Sequence, residues 1–110
     1  MVLSYVNEMG QITPLVEEVI TLYSLHSPRD LEKDITALQA IAECREEEAE
    51  FSGKEGLEGY IIGTPHAAKR AEMWYHILKA AQIRISGSTS FENLSQARRA
   101  QRELNQLIDS

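Results

Sequence analysis

The chain has 110 residues, of which 43% are hydrophobic and 25% charged, with a formal net charge of −6. Such a length holds one core and excludes two, and this apolar content with an ordinary charge fraction excludes a globally disordered chain. A single cysteine, Cys44, excludes an intramolecular disulfide, and the acidity is uneven: residues 1–60 hold four basic and thirteen acidic side chains, residues 61–110 seven basic and four acidic.

At the N-terminus, Met1 to Glu8 lacks a basic n-region and a sustained apolar h-region, so no secretory signal is expected. The longest aliphatic runs, such as Tyr60-Ile61-Ile62, fall far short of the roughly 20 residues that span a bilayer. The expectation is a soluble, cytoplasmic chain with no membrane partner. The first twelve residues read either as an extended arm or as a short edge segment.

Helix punctuation then follows in order. Thr13-Pro14, Ser27-Pro28 and Thr64-Pro65 are three Ser/Thr-Pro pairs. In each, the hydroxyl is suited to cap a free backbone N–H, and proline at the first helical position gives up a donor that lacked a partner. Thr89-Ser90-Phe91-Glu92 matches a capping box and follows Ser86-Gly87-Ser88, a stop for the preceding helix. These signals predict helices near 14–25, 28–50, 65–85 and 90–108.

Periodicity supports all four. The first has Leu15, Val19, Leu22 and His26 on a face flanked by Val16 and Tyr23. The second aligns Leu31, Ile35, Leu38, Ile41, Ala42 and Ala49, and the third Ala67, Ala71, Trp74, Leu78, Ala81 and Ile85. In the fourth, Leu94, Ala97, Gln101, Leu104 and Ile108 step by three and four, the spacing of a coiled-coil seam. The expected fold is all-α: one four-helix, bundle-like domain over 1–110. It would combine an acidic hairpin at about 13–50 with a basic hairpin at 65–108. The connection at 51–64 holds Gly53, Gly56, Gly59 and Gly63, and its length marks it as flexible or functional.

Candidate chemistry is sparse. Glu43, Glu46, Glu47 and Glu50 form a dense acidic run, and helical spacing brings such carboxylates to one face, where Mg²⁺ is held by oxygen ligands. All-α nucleotide pyrophosphohydrolases use two carboxylate pairs on neighbouring helices. Glu47 and Glu50 imitate the first pair, but the third helix offers only Glu72, followed by Trp74 and Tyr75. The run reads instead as a solvated helix end. His26, His66 and His76 are scattered and give no zinc site with one cysteine. His76 shares a face with Glu72 and Lys79, a pattern for an exposed pair. Acidic neighbours raise rather than lower a thiol pKa at Cys44. Ser52-Gly53-Lys54 resembles part of a phosphate-binding loop, but the earlier glycine is Glu48 and the next residue is Glu55. No catalytic residue, cofactor or metal site is assigned.

The fourth helix carries the best functional candidates. Opposite its seam lie Ser95, Arg98, Arg99, Arg102, Asn105 and Gln106, and Lys69, Arg70, Lys79 and Arg84 extend the patch if the last two helices pair. The favoured reading is a non-enzymatic protein–protein interaction module, oligomeric, acting as an adaptor, small regulatory subunit or assembly factor. Its expected contacts are Tyr75, Arg98, Arg99 and Arg102. Trp74 and Arg45 join them, although both lie on apolar stripes: Trp74 fits the core, and the Arg45 stem can lie along it. The alternative is a nucleic-acid-binding small subunit that lays Lys69, Arg70, Lys79, Arg98, Arg99 and Arg102 on phosphates. An Mg²⁺-dependent hydrolase using Glu43, Glu46, Glu47, Glu50 and Glu72 is the third reading.

Overall fold

The computed structural model describes residues 8, 10–23, 28–43, 61, 64–88 and 91–109. Among these residues there are four helices and no strand: α1 (Ile12–Tyr23), α2 (Pro28–Ala42), α3 (Ala67–Ile85) and α4 (Phe91–Asp109). The fold is all-α and four-helix bundle-like, as the punctuation predicts. Residues 44–60, which include the predicted end of the second helix and most of the glycine-bearing connection, lie outside the described residues.

Proline marks the helix starts with different accuracy. Pro28 is the first residue of α2, as expected. In contrast, α1 begins before Pro14, at Ile12, and the Leu15 N–H donates to the Gln11 carbonyl at 3.2 Å. Pro14 is tolerated in that first turn because N–H groups there have no intrahelical acceptor. Thr13 is therefore inside the helix rather than its cap. The third start moves the other way. The Thr64 N–H and hydroxyl both donate to the Ile61 carbonyl, at 3.0 and 2.6 Å, closing a turn ahead of the helix. His66 then takes a left-handed conformation (φ 59°), and α3 begins at Ala67. The end of α3 matches expectation. Gly87 has φ 91°, the Ser88 N–H bonds the Ile83 carbonyl and the Gly87 N–H bonds that of Arg84. This is the double closure that a left-handed glycine permits.

The core is centred on α3. Of its expected stripe, Ala71, Trp74, Leu78 and Ala81 are buried and Ala67 partly so, whereas Ile85 at the helix end is 55% exposed; a second stripe of Met73, Ile77 and Ala80 is also buried. Two apolar stripes let one helix pack on several neighbours, and α3 packs along both α2 and α4 and over a shorter length of α1. The pairing of the first two helices is thereby refined: α1 and α2 share little surface with each other, and each rests mainly on α3. Ile12, Leu15, Val16, Val19 and Tyr23 form the inward face of α1, and Leu31, Ile35, Leu38 and Ile41 that of α2. Ile61, from the sequence Tyr60-Ile61-Ile62, is fully buried in the same core. Each such side chain contributes about 1.5–3 kcal/mol relative to exposure.

Among the described residues, one acidic side chain lies inside. Asp34 on α2 is 6% exposed and accepts a hydrogen bond from the Tyr23 hydroxyl of α1. The bond provides the polar partner that a buried carboxylate requires and ties the two helices where they meet least.

Candidate functional site

On α4, the period of 3.6 residues separates three faces. Ala97, Ala100 and Leu104 point inward and are buried, with Leu94 and Gln101 at the margin. Ala100 joins the expected seam, whereas Ile108 lies beyond the packed length and is 46% exposed. Of the two flanks, one carries Arg99 and Glu103 and the other Arg98 and Arg102.

The first flank is electrically closed. The Lys69 ammonium on α3 donates to Glu103 of α4 and to Glu72, the latter at 2.7 Å, and Arg99 Nε reaches Glu103 at 3.3 Å. The hydrogen bond from Lys69, aided by its charge, holds the Glu103 carboxyl below its ordinary value, and Arg99 adds to the effect. The hydrogen bonds to Glu103 and then Glu72 hold the Lys69 ammonium above its ordinary value against the opposing effect of partial burial.

The second flank is open. Arg98 Nη2 donates to the Thr13 hydroxyl at 3.1 Å, a neutral acceptor, and its guanidinium forms no ion pair among the described residues. One turn further on, Arg102 is exposed and forms no ion pair among the described residues. A cavity of about 350 Å³ lies between this flank and the start of α1, lined by Gln11, Ile12, Thr13, Arg98, Gln101 and Arg102. None of these residues is acidic.

The segment before α1 is held in place by both helices of the second pair. The Glu8 carboxylate accepts from Trp74 Nε1 at 3.0 Å and forms an ion pair with Arg70 Nε at 2.9 Å. Gln101 Nε2 donates to the carbonyls of Glu8 and Gly10, at 3.1 and 2.6 Å. This accounts for a glutamine in an apolar seam: its amide satisfies two backbone carbonyls that would otherwise lie against the bundle. Residues 8, 10 and 11 thus form a tethered approach to α1, and Gln11 lines the cavity.

The remaining sequence candidates separate by environment. Trp74 is 2% exposed and belongs to the core, as its stripe implies, so it offers no outward surface. Tyr75 is half-buried at the core margin and packs edge-on to His76. His76 does not pair with Glu72, since its Nδ1 lies 3.3 Å from Asn93 Oδ1 on α4. Arg84 pairs with Glu17 of α1, and Arg70 also bonds the Pro65 carbonyl at 3.0 Å. Lys79 is half-buried. Arg45, Glu46, Glu47 and Glu50 lie outside the described residues. Among the described residues, no three His, Cys, Asp or Glu side chains are grouped so as to hold a metal ion, and no helix is long and apolar enough to cross a membrane.

Three participants escape a reading of the sequence: Thr13, Glu8 and Phe91. Thr13 resembles a cap, Glu8 is one acid among many, and Phe91 is the third residue of a capping box. Phe91 is nevertheless 79% exposed, and it precedes Arg98 by seven residues on the same open flank. Comparison of the chain with known protein families, curated proteins and solved structures finds no match.

Proposed function

We propose that this chain is a non-enzymatic helical interaction module of the cytoplasm that binds a protein partner through the open flank of α4. It acts as an adaptor, a small regulatory subunit or an assembly factor. The observation that carries this reading is the stripe of Phe91, Arg98 and Arg102: an aromatic side chain 79% exposed, followed on the same side by two arginines without a carboxylate among the described residues. Aromatic and arginine side chains are the ones that concentrate binding energy at protein interfaces. An exposed phenylalanine gains from burial against a partner what it lacks within its own fold.

Ile108 supports assembly with further copies. It continues the seam of Leu94, Ala97, Gln101 and Leu104 and remains 46% exposed, an apolar side chain in register for another helix. Light scattering across the accessible concentration range tests this part, and a strictly monomeric species contradicts it.

Protein is favoured over nucleic acid because the broad basic face is interrupted. Lys69, Arg70 and Arg99 are matched to Glu103, Glu72 and Glu8 within the chain. Crosslinking the full chain in its host lysate, with Phe91→Ala and Arg102→Glu variants in parallel, tests the reading. Proteins captured by the parent chain and lost from both variants support it, and an unchanged set contradicts it. Gel-shift titration at two salt concentrations tests the competing class: nucleic-acid binding at low salt that weakens steeply with added salt would overturn the preference for protein.

A further inference from the structure

We propose that the cleft between α4 and the start of α1 is a phosphate-monoester pocket, and that it receives a phosphorylated side chain of the partner. The inference deepens the interface reading above and rests on it for the source of the phosphate. The pocket itself rests on the arrangement of its walls. Arg98 and Arg102 stand one turn apart on the same side of α4 and both line a cavity of about 350 Å³. This is at the small end of ligand sites, which run from about 300 to 1,000 Å³. Its remaining polar walls are the Thr13 hydroxyl and the amides of Gln11 and Gln101, and no carboxylate is among them.

Charge selects the ligand class. Two guanidinium groups that form no ion pair among the described residues repel each other, and an anion between them removes that repulsion. A carboxylate carries one negative charge and two oxygens, and a single arginine satisfies it. A phosphate monoester carries about −1.5 to −2 at neutral pH and offers three acceptor oxygens. It matches two arginines in charge, and its remaining oxygen has the Thr13 hydroxyl or the Gln11 amide as donor within the same cleft, the two N–H groups of Gln101 being taken by the Glu8 and Gly10 carbonyls. Arg98 already spans the cleft to Thr13 at 3.1 Å, so one wall of the pocket is preset. Gln101 is held by the Glu8 and Gly10 carbonyls, so its backbone and side chain form a fixed floor rather than a swinging arm. The contrast with the opposite flank is specific: there Arg99 and Lys69 meet Glu103, and an added anion would have to displace a carboxylate.

The experiment is a titration of the isotope-labelled full chain with inorganic phosphate at fixed ionic strength, using chloride as the reference anion and amide resonances as the readout. Saturating shifts are expected at Thr13, Arg98, Gln101 and Arg102. Arg98→Gln and Arg102→Gln should each weaken binding about tenfold, the loss of one charge-assisted pair, and Arg99→Gln should leave it unchanged. Shifts that grow without saturation, or that survive Arg102→Gln, overturn the pocket. A second arm compares a short phosphoserine peptide with its serine counterpart and with free phosphate. Tighter binding of the phosphopeptide supports the partner as source, and equal affinity for free phosphate overturns that part. Capture of a partner that depends on Phe91 without any phosphate response overturns the pocket alone. A phosphate response with capture indifferent to Phe91→Ala overturns the interface reading alone.

Discussion

On one flank of α4, Arg99 and Lys69 converge on Glu103; on the other, Arg98 and Arg102 face the Thr13 hydroxyl and a cleft without an acidic wall. Each side carries arginine, but the closed side also carries a carboxylate of α4 itself, Glu103, four residues beyond Arg99. The sides differ further in what the neighbouring elements bring up. The closed flank faces α3, which supplies both Lys69 and Glu72. The open flank faces the start of α1, which supplies a hydroxyl and amides. A cationic cluster in a sequence therefore signals a binding surface only after the charges bonded within the fold are subtracted. The same holds across the chain, where the acidic and basic halves meet internally through Glu8 with Arg70 and Glu17 with Arg84.

The contrast can be broken most severely from beneath. Leu104 is fully buried in the seam below both flanks, and Leu104→Ala should cost about 2–5 kcal/mol in urea unfolding. A cost under about 1 kcal/mol would mean that α4 is not seated against α3 as described. Next in size is the tether of the open flank. Glu8→Ala leaves the Trp74 indole N–H and the Arg70 guanidinium without their shared acceptor, at a cost of about 1–3 kcal/mol. Trp74 is the sole tryptophan, so its emission should shift in the folded variant; unchanged emission and stability would sever the link between that tether and α3.

The closed flank has a pH signature. Glu103 has a folded-state pKa below the ordinary 4.5, so its contribution is present above that value and lost as pH falls through the lower one. Lys69 has a folded-state pKa above the ordinary 10.5, so its contribution is present below that value and lost as pH rises through the higher one. The Tm difference between the parent chain and Glu103→Gln should therefore be widest near neutrality and close at both extremes. The smallest expected effect is that of Arg98→Glu on stability, within about 0.5 kcal/mol of the parent. Its direction is favourable at low salt, because a carboxylate then stands beside the first turn of α1.

Much of this fold is legible from local rules. Four helices follow from four start signals, and Gly87 stops α3 because its left-handed conformation lets two carbonyls find N–H donors. The shifted starts of α1 and α3 reflect competition for the same groups. Thr13 is drawn to Arg98, and Thr64 bonds backward to Ile61 rather than forward into a helix. Periodicity places Arg98 and Arg102 together, and it equally places Arg99 with Glu103. The Arg99–Glu103 pair is legible from that spacing alone, whereas the register between α3 and α4 brings Lys69 to Glu103 and that between α4 and α1 brings Thr13 to Arg98. That register depends on how the buried faces of α1, α3 and α4 meet in one core, which no local pattern encodes. Gln101 is a visible hint, a polar residue at a seam position. Glu8 carries none, since its role depends on a segment that reaches both helices.

The most direct measurement takes two charge-reversal variants through the same pair of assays, unfolding stability and partner capture. Arg98→Glu with Arg102→Glu should keep its stability and lose capture. Lys69→Glu with Arg99→Glu should lose stability, by setting new acids against Glu72 and Glu103, and keep capture in the fraction that remains folded. Equal loss of capture by both variants, or capture that survives reversal of Arg98 and Arg102, would contradict the division of α4 into a structural flank and a binding flank.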